Sequence, residues 1–334
     1  MLSYSALGFV NTSEMLKKAY DGGYAVPALN FISIEQLNSI FDACAQKRSP
    51  VILLGSPKLC SQFEPRMLAR MVQAARERVV ESGLDIPVSL HLDHGLCYDH
   101  CVTAVRNGFS SVMIDGSALP FEENIALTRQ VVQFAHAYGV TVEGEIGVLE
   151  NESVSRLNRA FYTDPEQAAE FVQKTGVDSL AVSIGTSHGM VKYHPNLDGS
   201  YPELRYDILN KISSLLPGFP LVLHGASCLP YKYIEMINSY GGKINNAAGI
   251  PDEQIAQAAR MGVCMVNIAS DGWLAALAVT RKTLAENPTA IDGRVYSMQV
   301  RPELKQLYCH KIDILGSAGK VRMNERFFDL MDDI

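Results

Sequence analysis

Eight short apolar segments recur along the chain, and each is followed by a longer segment with helical periodicity. They are Tyr24–Asn30, Pro50–Gly55, Pro87–His94, Ser110–Asp115, Val140–Glu145, Ser179–Ile184, Pro220–His224 and Val263–Ile268. Several are continuously apolar rather than alternating, as expected for strands that are buried on both faces of a parallel sheet. Eight strand–helix units fit the roughly 250 residues of a (β/α)8 barrel. The sequence therefore predicts an α/β protein with a TIM-barrel fold.

Residues that favour helix ends mark the helices between these strands. Asn11, with Glu14 three residues later, forms a capping-box pattern at the start of the first helix. Asp164 and Pro165 provide a cap and a first-turn proline for a later helix, which Gly176 ends. These signals support alternating strands and helices.

The chain after the eighth segment has helical patterns at Trp273–Ala285 and Pro302–Ile314. We interpret residues 1–334 as one domain, with the barrel at about 1–285 and a C-terminal helical extension at about 286–334. An open doubly wound sheet is the competing architecture. No Gly-x-Gly-x-x-Gly motif follows any of the eight segments, so the dinucleotide-binding form of that sheet is not supported.

Charge and hydropathy exclude several classes of function. With 29 basic and 36 acidic residues the net charge is −7, which argues against a nucleic-acid partner. No apolar run reaches the roughly 18 residues of a membrane-spanning helix, and charged residues near the N-terminus argue against a secretory signal. The seven cysteines lack paired metal-site spacings, which favours free thiols in a reducing compartment. We therefore expect a cytoplasmic enzyme.

Polar and charged side chains occur where the apolar segments end. In a barrel all these positions lie on the rim at the carboxyl ends of the strands, where barrel enzymes have their active sites. They are Asn30, Ser56, His91, Asp93, His94, Asp115, Glu143, Glu145, His188, His224, Asn267 and Asp271.

Three histidines on separate strands indicate a metal site. His94, His188 and His224 would bring three imidazoles to one rim, a ligand set suited to Zn2+ or a similar divalent ion. His91 is the competing ligand from the third strand. Strand alternation would place His91 and His94 on opposite sides, and His94 is nearer the rim.

Asp93, beside a predicted metal ligand, is open to two interpretations. It could orient a ligand imidazole from behind. It could also act as a general base on a substrate that is bound to the metal.

The turns Gly185–Gly189 and His224–Ser227 are rich in glycine, and glycine permits close approach of backbone N–H groups to a phosphate. Lys192 would add positive charge. The alternative is that these are two ordinary turns between strand and helix.

Several longer motifs resemble the class II, metal-dependent fructose-bisphosphate aldolases. The resemblance extends from Asn11–Asn30 to Gly316–Lys320 and so covers nearly the whole chain. The motifs are His91–Gly95, Gly108–Ser117, Leu119–Ile125, Val142–Gly147, Gly185–Gly189 and Val222–Ser227.

The resemblance implies a zinc-dependent aldolase that reversibly cleaves a ketose phosphate into dihydroxyacetone phosphate and an aldehyde. It implies that the three histidines bind zinc, replaceable by Co2+, with Glu143 and Asp115 as carboxylates of the metal site. Asp93 would take the proton of the C4 hydroxyl. The residues around the dihydroxyacetone phosphate group would be Gly189, Lys192, Gly225, Ser227, Asn267 and Ser270, and Asn30, Ser56 and Arg294 would also bind the substrate. The acid that protonates the enediolate is expected on a loop at Leu149–Phe161.

The sequence departs from the family pattern after the eighth strand. Ala269 replaces an aspartate that contacts the aldehyde-derived half of the sugar, and Trp273 replaces the arginine that receives the C6 phosphate. Tagatose-bisphosphate members also have alanine at the first position. These changes predict a preferred ketose that differs from fructose 1,6-bisphosphate at C4 or C6. The alternative is that Lys58 and Arg294 compensate and fructose 1,6-bisphosphate remains the best substrate.

Other enzyme and binding classes are less consistent with these residues. A Schiff-base aldolase would need a lysine within a strand, and none of the eight segments contains one. A barrel metallohydrolase remains the more distant alternative, since it would use a similar ligand set to activate water. A purely regulatory protein would not need the complete set of Asp93 and three histidines. The resemblance suggests a homodimer or homotetramer, and it leaves a monovalent cation open.

Overall fold

The eight apolar segments form parallel strands that close into a barrel in sequence order. The computed structural model describes residues 1–147, 162–191 and 202–321. The strands are β1 (Val26–Asn30), β2 (Val51–Gly55), β3 (Val88–Gly95), β4 (Ser111–Ile114), β5 (Thr141–Ile146), β6 (Ser179–Val182), β7 (Leu221–Leu223) and β8 (Val263–Ile268). Pairing of β1 with β8, which places Ala28 beside Asn267, closes the ring. The predicted TIM barrel is confirmed.

Alternation along the strands divides the apolar core into two layers. Ile52 and Leu54 belong to a small cluster in the barrel interior. Val51 and Leu53 of the same strand belong to the larger cluster between the strands and the surrounding helices. Both faces of β2 are therefore buried, which explains why its sequence is continuously apolar.

The helices surround the barrel, and most occupy connections between consecutive strands. They are α1 (Ser13–Gly22), α2 (Ile34–Lys47), α3 (Pro57–Phe63), α4 (Pro65–Val80), α5 (Tyr98–Arg106), α6 (Phe121–His136), α7 (Pro165–Thr175), α8 (Tyr206–Leu215), α9 (Tyr231–Ser239), α10 (Asp252–Arg260), α11 (Ser270–Glu286) and α12 (Arg294–Ile314). The predicted ends of α7 are confirmed: the Asp164 side chain accepts from the N–H of Gln167, and Gly176 follows with φ of 74°.

The Asn11 side chain caps the start of α1, as the sequence predicts. The helix begins at Ser13, and Asn11 Oδ1 accepts from the backbone N–H of Ser13 at 3.3 Å. The amide nitrogen of Asn11 also donates to the carbonyl of Gly139 at 2.9 Å, on a distant part of the chain. The same side chain therefore contacts both the helix start and a turn that is remote in sequence.

The last helix is longer than predicted. It begins at Arg294 and continues through Pro302, where the sequence pattern predicts its start. Pro302 is exposed, and so is Met298 four residues earlier, so water can reach the backbone carbonyl that the proline leaves without a partner. α12 packs against α2 and α11, and Leu315 directly after it accepts from the backbone N–H of Ala25 before β1.

Two further expectations concern the surface and the thiols. None of the helices among the described residues is long and apolar enough to cross a membrane. All seven cysteines are free thiols, as the sequence predicted.

Candidate active site

A cavity of about 280 Å³ opens at the carboxyl ends of the strands. Its walls come from both ends of the chain, because β1 and β8 are neighbours in the closed ring. The residues that line it are Asn30, Leu54, Ser56, Asp93, His94, His188, Gly189, His224, Gly225, Ser227, Asn267, Ala269, Ser270 and Trp273. The rim residues predicted from the sequence therefore largely converge on one site.

A bulge in β3 brings both Asp93 and His94 into this cavity. Leu92 pairs with Val112 and Gly95 pairs with Ile114, so two residues of β3 lie opposite the single residue Met113. His94 has φ of 51°, in the left-handed region that non-glycine residues rarely adopt. The strand thus continues past His94, and the bulge redirects the side chain that alternation would otherwise turn away.

The three predicted metal ligands lie within reach of one ion. Each of His94, His188 and His224 offers one ring nitrogen, and these three atoms lie within 4.8 Å of one another. His94 Nε2 and His224 Nδ1 are 2.9 Å apart. Such a group of imidazoles on three separate loops or strands is suited to a divalent metal.

His91, the competing ligand, lies outside this group. Its side chain is buried in the barrel interior, where Nδ1 is 2.8 Å from the hydroxyl of Ser111. Its Nε2 lies 3.7 Å from Glu143 Oε2. The geometry thus favours His94 over His91 as the ligand from β3.

Two carboxylates contact the ligand imidazoles from behind. Glu143 Oε1 is 2.8 Å from His224 Nε2, and Asp115 Oδ2 is 2.9 Å from His94 Nδ1. The other ring nitrogens of the two histidines, His224 Nδ1 and His94 Nε2, point at each other and not at a carboxylate. Such contacts fix the tautomer and the orientation of an imidazole, so that its second nitrogen presents a lone pair to a metal.

Glu145 is a site residue to which the sequence analysis assigned no role. Its side chain is buried, with Oε2 3.8 Å from His94 Nδ1, and it forms a second possible metal-binding group with His94 and Asp115. Glu143 belongs to neither group. Glu143 and Glu145 are two residues apart on β5 and so project to the same side, a signal that could have identified both.

The surrounding carboxylates control the charge of the histidines. Burial disfavours a charged His94, but Asp93, Asp115 and Glu145 outweigh burial and raise the pKa of His94 to about 10. Burial, together with the cationic His94, lowers the pKa of His224 to about 3. Burial raises the pKa of Glu143 to about 7 and that of Glu145 well above its ordinary value. Without a metal, His94 and the buried glutamates thus favour their protonated forms, and a metal cation would replace these protons.

Buried polar atoms without partners also fit a bound cation and substrate. Asn30 Oδ1, Glu143 Oε2, Glu145 Oε2 and Asn267 Oδ1 are among the buried side-chain oxygens that form no hydrogen bond within the described part of the chain. Leaving such atoms unpaired is costly. The residues present thus fit a metal-dependent site.

The opposite wall of the cavity is made of glycine-containing loops. Gly225 has φ of 66°, and a Cβ atom there would lie 2.6 Å from the carbonyl oxygen of Ser187, so only glycine fits. The hydroxyl of Thr186 donates to the carbonyl of His224 at 2.6 Å and connects the two loops. Ser270, the first residue of α11, places a helix N-terminus at the same wall, an arrangement that favours an anion.

The predicted specificity residues divide into two groups. Ala269 and Trp273 line the cavity, and Trp273 is 42% exposed. Lys58 is exposed on α3 and Arg294 pairs with Asp292, and neither lines the cavity. Lys192 and the loop predicted at Leu149–Phe161 lie outside the described residues.

Comparisons with known proteins identify the family of the chain. A model of the family "Fructose-bisphosphate aldolase class-II" matches residues 10–320. The fructose-bisphosphate aldolase of Treponema pallidum (strain Nichols) is 49% identical over 96% of this chain and 100% of its own. That of Giardia intestinalis is 41% identical over 92% of each chain.

Among solved structures, the YdjI aldolase from Escherichia coli K12 is similar, with a TM-score of 0.73 and 29% identity. The match covers 94% of this chain and 100% of that one. The fold, the convergent histidines and these matches lead to one conclusion: the chain belongs to the class-II fructose-bisphosphate aldolase family and is a metal-dependent lyase that acts on a phosphorylated sugar.

Proposed function

We propose that this protein reversibly cleaves fructose 1,6-bisphosphate into dihydroxyacetone phosphate and glyceraldehyde 3-phosphate. The observation that carries the proposal is the convergence of His94, His188 and His224 with Asp93 on one cavity. The names of the relatives support the same substrate.

The three histidines would hold Zn2+, with Co2+ as a functional substitute, because imidazole ligands suit both ions. When bound, the ion would supply Lewis-acid polarisation of the oxygens next to the reacting carbons. Glu143 and Asp115 would support it from behind by orienting His224 and His94.

Asp93 is the proposed general base. Asn267 Nδ2 donates to Asp93 Oδ1 at 2.9 Å, which fixes the carboxylate and leaves Oδ2 for the substrate. Asp93 would take the proton from the C4 hydroxyl. The C3–C4 bond then breaks, its electron pair stays with the C3 fragment, and C4 becomes the aldehyde carbon.

The glycine-containing wall would bind the phosphate of the dihydroxyacetone half. Gly189, Gly225 and Ser227 offer backbone N–H groups, and Ser270 and Asn267 add side-chain donors. Lys192 would contribute positive charge. Asn30 and Ser56 lie across the cavity and would contact the sugar.

Two residues of the cavity lining favour a second substrate. Ala269 and Trp273 line the cavity, and no lysine or arginine lines it among the described residues. A C6 phosphate would therefore lack a cation from this part of the chain, and a ketose without that phosphate, such as fructose 1-phosphate, would not need one. The Ala269 side chain accepts no hydrogen bond from a sugar hydroxyl, so it would also admit the opposite C4 configuration of tagatose 1,6-bisphosphate.

Steady-state kinetics with a panel of ketoses tests both substrates. Triose phosphate release is measured from fructose 1,6-bisphosphate, tagatose 1,6-bisphosphate and fructose 1-phosphate. A kcat/KM for fructose 1,6-bisphosphate of about 10⁴–10⁸ M⁻¹s⁻¹, above the other two, is the expected result. A higher value for another ketose would favour the second substrate. Release of inorganic phosphate without triose would indicate a hydrolase and overturn the proposal.

We also infer a homodimer or homotetramer. An apolar groove beside the cavity is lined by residues of α2, α11 and α12, and Ile32, Leu277 and Trp273 are each more than 40% exposed there. Arg294 at the start of α12 would then reach a neighbouring subunit. Light scattering coupled to size-exclusion chromatography measures the oligomeric state.

The whole chain would work as one aldolase domain in the cytoplasm. The barrel supplies every proposed ligand, and α12 of the C-terminal extension packs against its helices α2 and α11. Seven free thiols suit a reducing compartment.

A further inference from the structure

A buried lysine of the C-terminal extension contacts residues behind the phosphate-binding wall. The Lys311 side chain on α12 is 1% exposed. Its Nζ donates to Asp252 Oδ1 at 2.8 Å and to Cys228 Sγ at 2.7 Å, and it lies 3.0 Å from Asp271 Oδ2. None of these four residues lines the cavity.

Asp271 connects this lysine to the loop after β7. It is fully buried, and its two carboxylate oxygens accept from the backbone N–H groups of Leu229 at 2.7 Å and Cys228 at 3.2 Å. These two residues directly follow Ser227, which lines the cavity. Leu229 has φ of 50°, so this turn is held in a strained conformation.

Asp271 also connects the lysine to the start of α11, because it is the residue after Ser270. The Asp271 side chain therefore links the first turn of α11, which begins at Ser270, to the loop that follows Ser227. A buried carboxylate needs a partner for its charge, and Lys311 is the cation that contacts it.

We propose that Lys311 is a positioning residue for the phosphate subsite. Through Asp271 it holds the loop after β7 and the first turn of α11 at the separation that a bound phosphate requires. The inference rests on the proposed function, since that function assigns the phosphate to this wall. Lys311 does not line the cavity and acts on it through Asp271 and through its own contact with Cys228 in the loop after β7.

The test compares the metal-loaded wild-type enzyme with K311M and with the double variant K311M/D271N. Methionine keeps most of the volume of lysine but removes the cation. The double variant buries no unpaired charge and so retains a stable fold if K311M alone does not. D252N is the matched control, because it removes another partner of Lys311 whose two carboxylate oxygens contact Lys311 and His310 rather than the wall.

The readouts are the KM for the ketose phosphate, kcat, and the dissociation constant of inorganic phosphate from calorimetry. We expect both the KM and the phosphate dissociation constant to rise by about 10- to 100-fold in K311M or the double variant. The metal content should remain unchanged. D252N should keep both constants within about threefold of wild type, and K311R should recover part of the loss.

A purely structural role would lower the melting temperature or kcat and leave the KM and phosphate affinity unchanged, which would overturn the inference. Unchanged constants in a folded double variant would overturn it equally. A wild-type enzyme that binds phosphate but releases no triose would instead contradict the proposed function, and the phosphate titration would still decide the role of Lys311.

Discussion

Replacing Asp93 by asparagine removes the proposed general base and keeps the size and shape of the side chain. The Asp93 side chain accepts from Asn267 Nδ2 at 2.9 Å, and an asparagine oxygen can accept the same hydrogen bond. The substitution therefore preserves the geometry of this wall. It removes the carboxylate that would take the proton from the C4 hydroxyl.

The expected loss follows from this role. A positioned general base contributes about 10²–10⁴-fold to rate, which corresponds to about 2.7–5.4 kcal/mol at 1.36 kcal/mol per factor of ten. Asp93 Oδ1 lies 3.9 Å from His94 Nε2, too far for a hydrogen bond, so the metal site should remain assembled. The loss should therefore appear in kcat at saturating metal.

The assay is triose phosphate release at increasing Zn2+, with bound metal measured in the same samples. Asp115→Asn is the matched control, because the same chemical change occurs on the other side of His94. We expect this control to weaken metal binding by about 10–100-fold and to recover turnover at saturating metal. Turnover of Asp93→Asn within tenfold of wild type at saturating metal would refute the general-base role.

Three further predictions concern the metal, its pH dependence and the substrate. Exhaustive chelation should abolish cleavage and Zn2+ or Co2+ should restore it, with His188→Ala losing bound metal; full activity in metal-free protein would contradict the proposed site. Because the pKa of His94 is raised to about 10 without metal, Zn2+ must displace a proton at neutral pH, so the apparent Zn2+ affinity should rise about tenfold per pH unit from pH 6 to 9; a flat profile in chelator competition would exclude this linkage. Converting Ala269 to Asp and Trp273 to Arg together should raise kcat/KM for fructose 1,6-bisphosphate by about 10- to 100-fold, since a charged hydrogen bond contributes about 1.5–3 kcal/mol; no gain would indicate that the C6 phosphate is already bound elsewhere.

The barrel was predictable because its signal is local and repeated. Buried parallel strands are continuously apolar, and the glycine at 176 and the aspartate at 164 mark the ends of α7. The start of α12 was not predictable from Pro302, because an exposed proline can lie inside a helix when water reaches the freed carbonyl. The cap at Asn11 was predictable from the local pattern, but its second contact was not, because that partner, Gly139, is remote in sequence.

Site residues were predictable from the sequence where a position just after a strand is enough to bring the side chain to the barrel rim. His188 and His224 follow their strands and lie on the rim in any barrel of this order. His94 was harder, because only the bulge opposite Met113 turns it into the cavity, and strand alternation argues against it. Lys311 could not be connected to the site from the sequence, because its contact with Asp271 depends on how α12 packs against the finished barrel.

Closure of the ring between β1 and β8 has a consequence for the order in which this protein becomes active during synthesis. Asn30 comes from the first strand and Asn267 from the last, and Asn267 must reach Asp93 across 174 positions of sequence. Contacts of such long range form late, since loop-closure entropy opposes them until the intervening chain has folded. A nascent chain from which β8 has not yet emerged would therefore lack Asn267 beside Asp93, and catalytic competence should arise when β8 closes the ring.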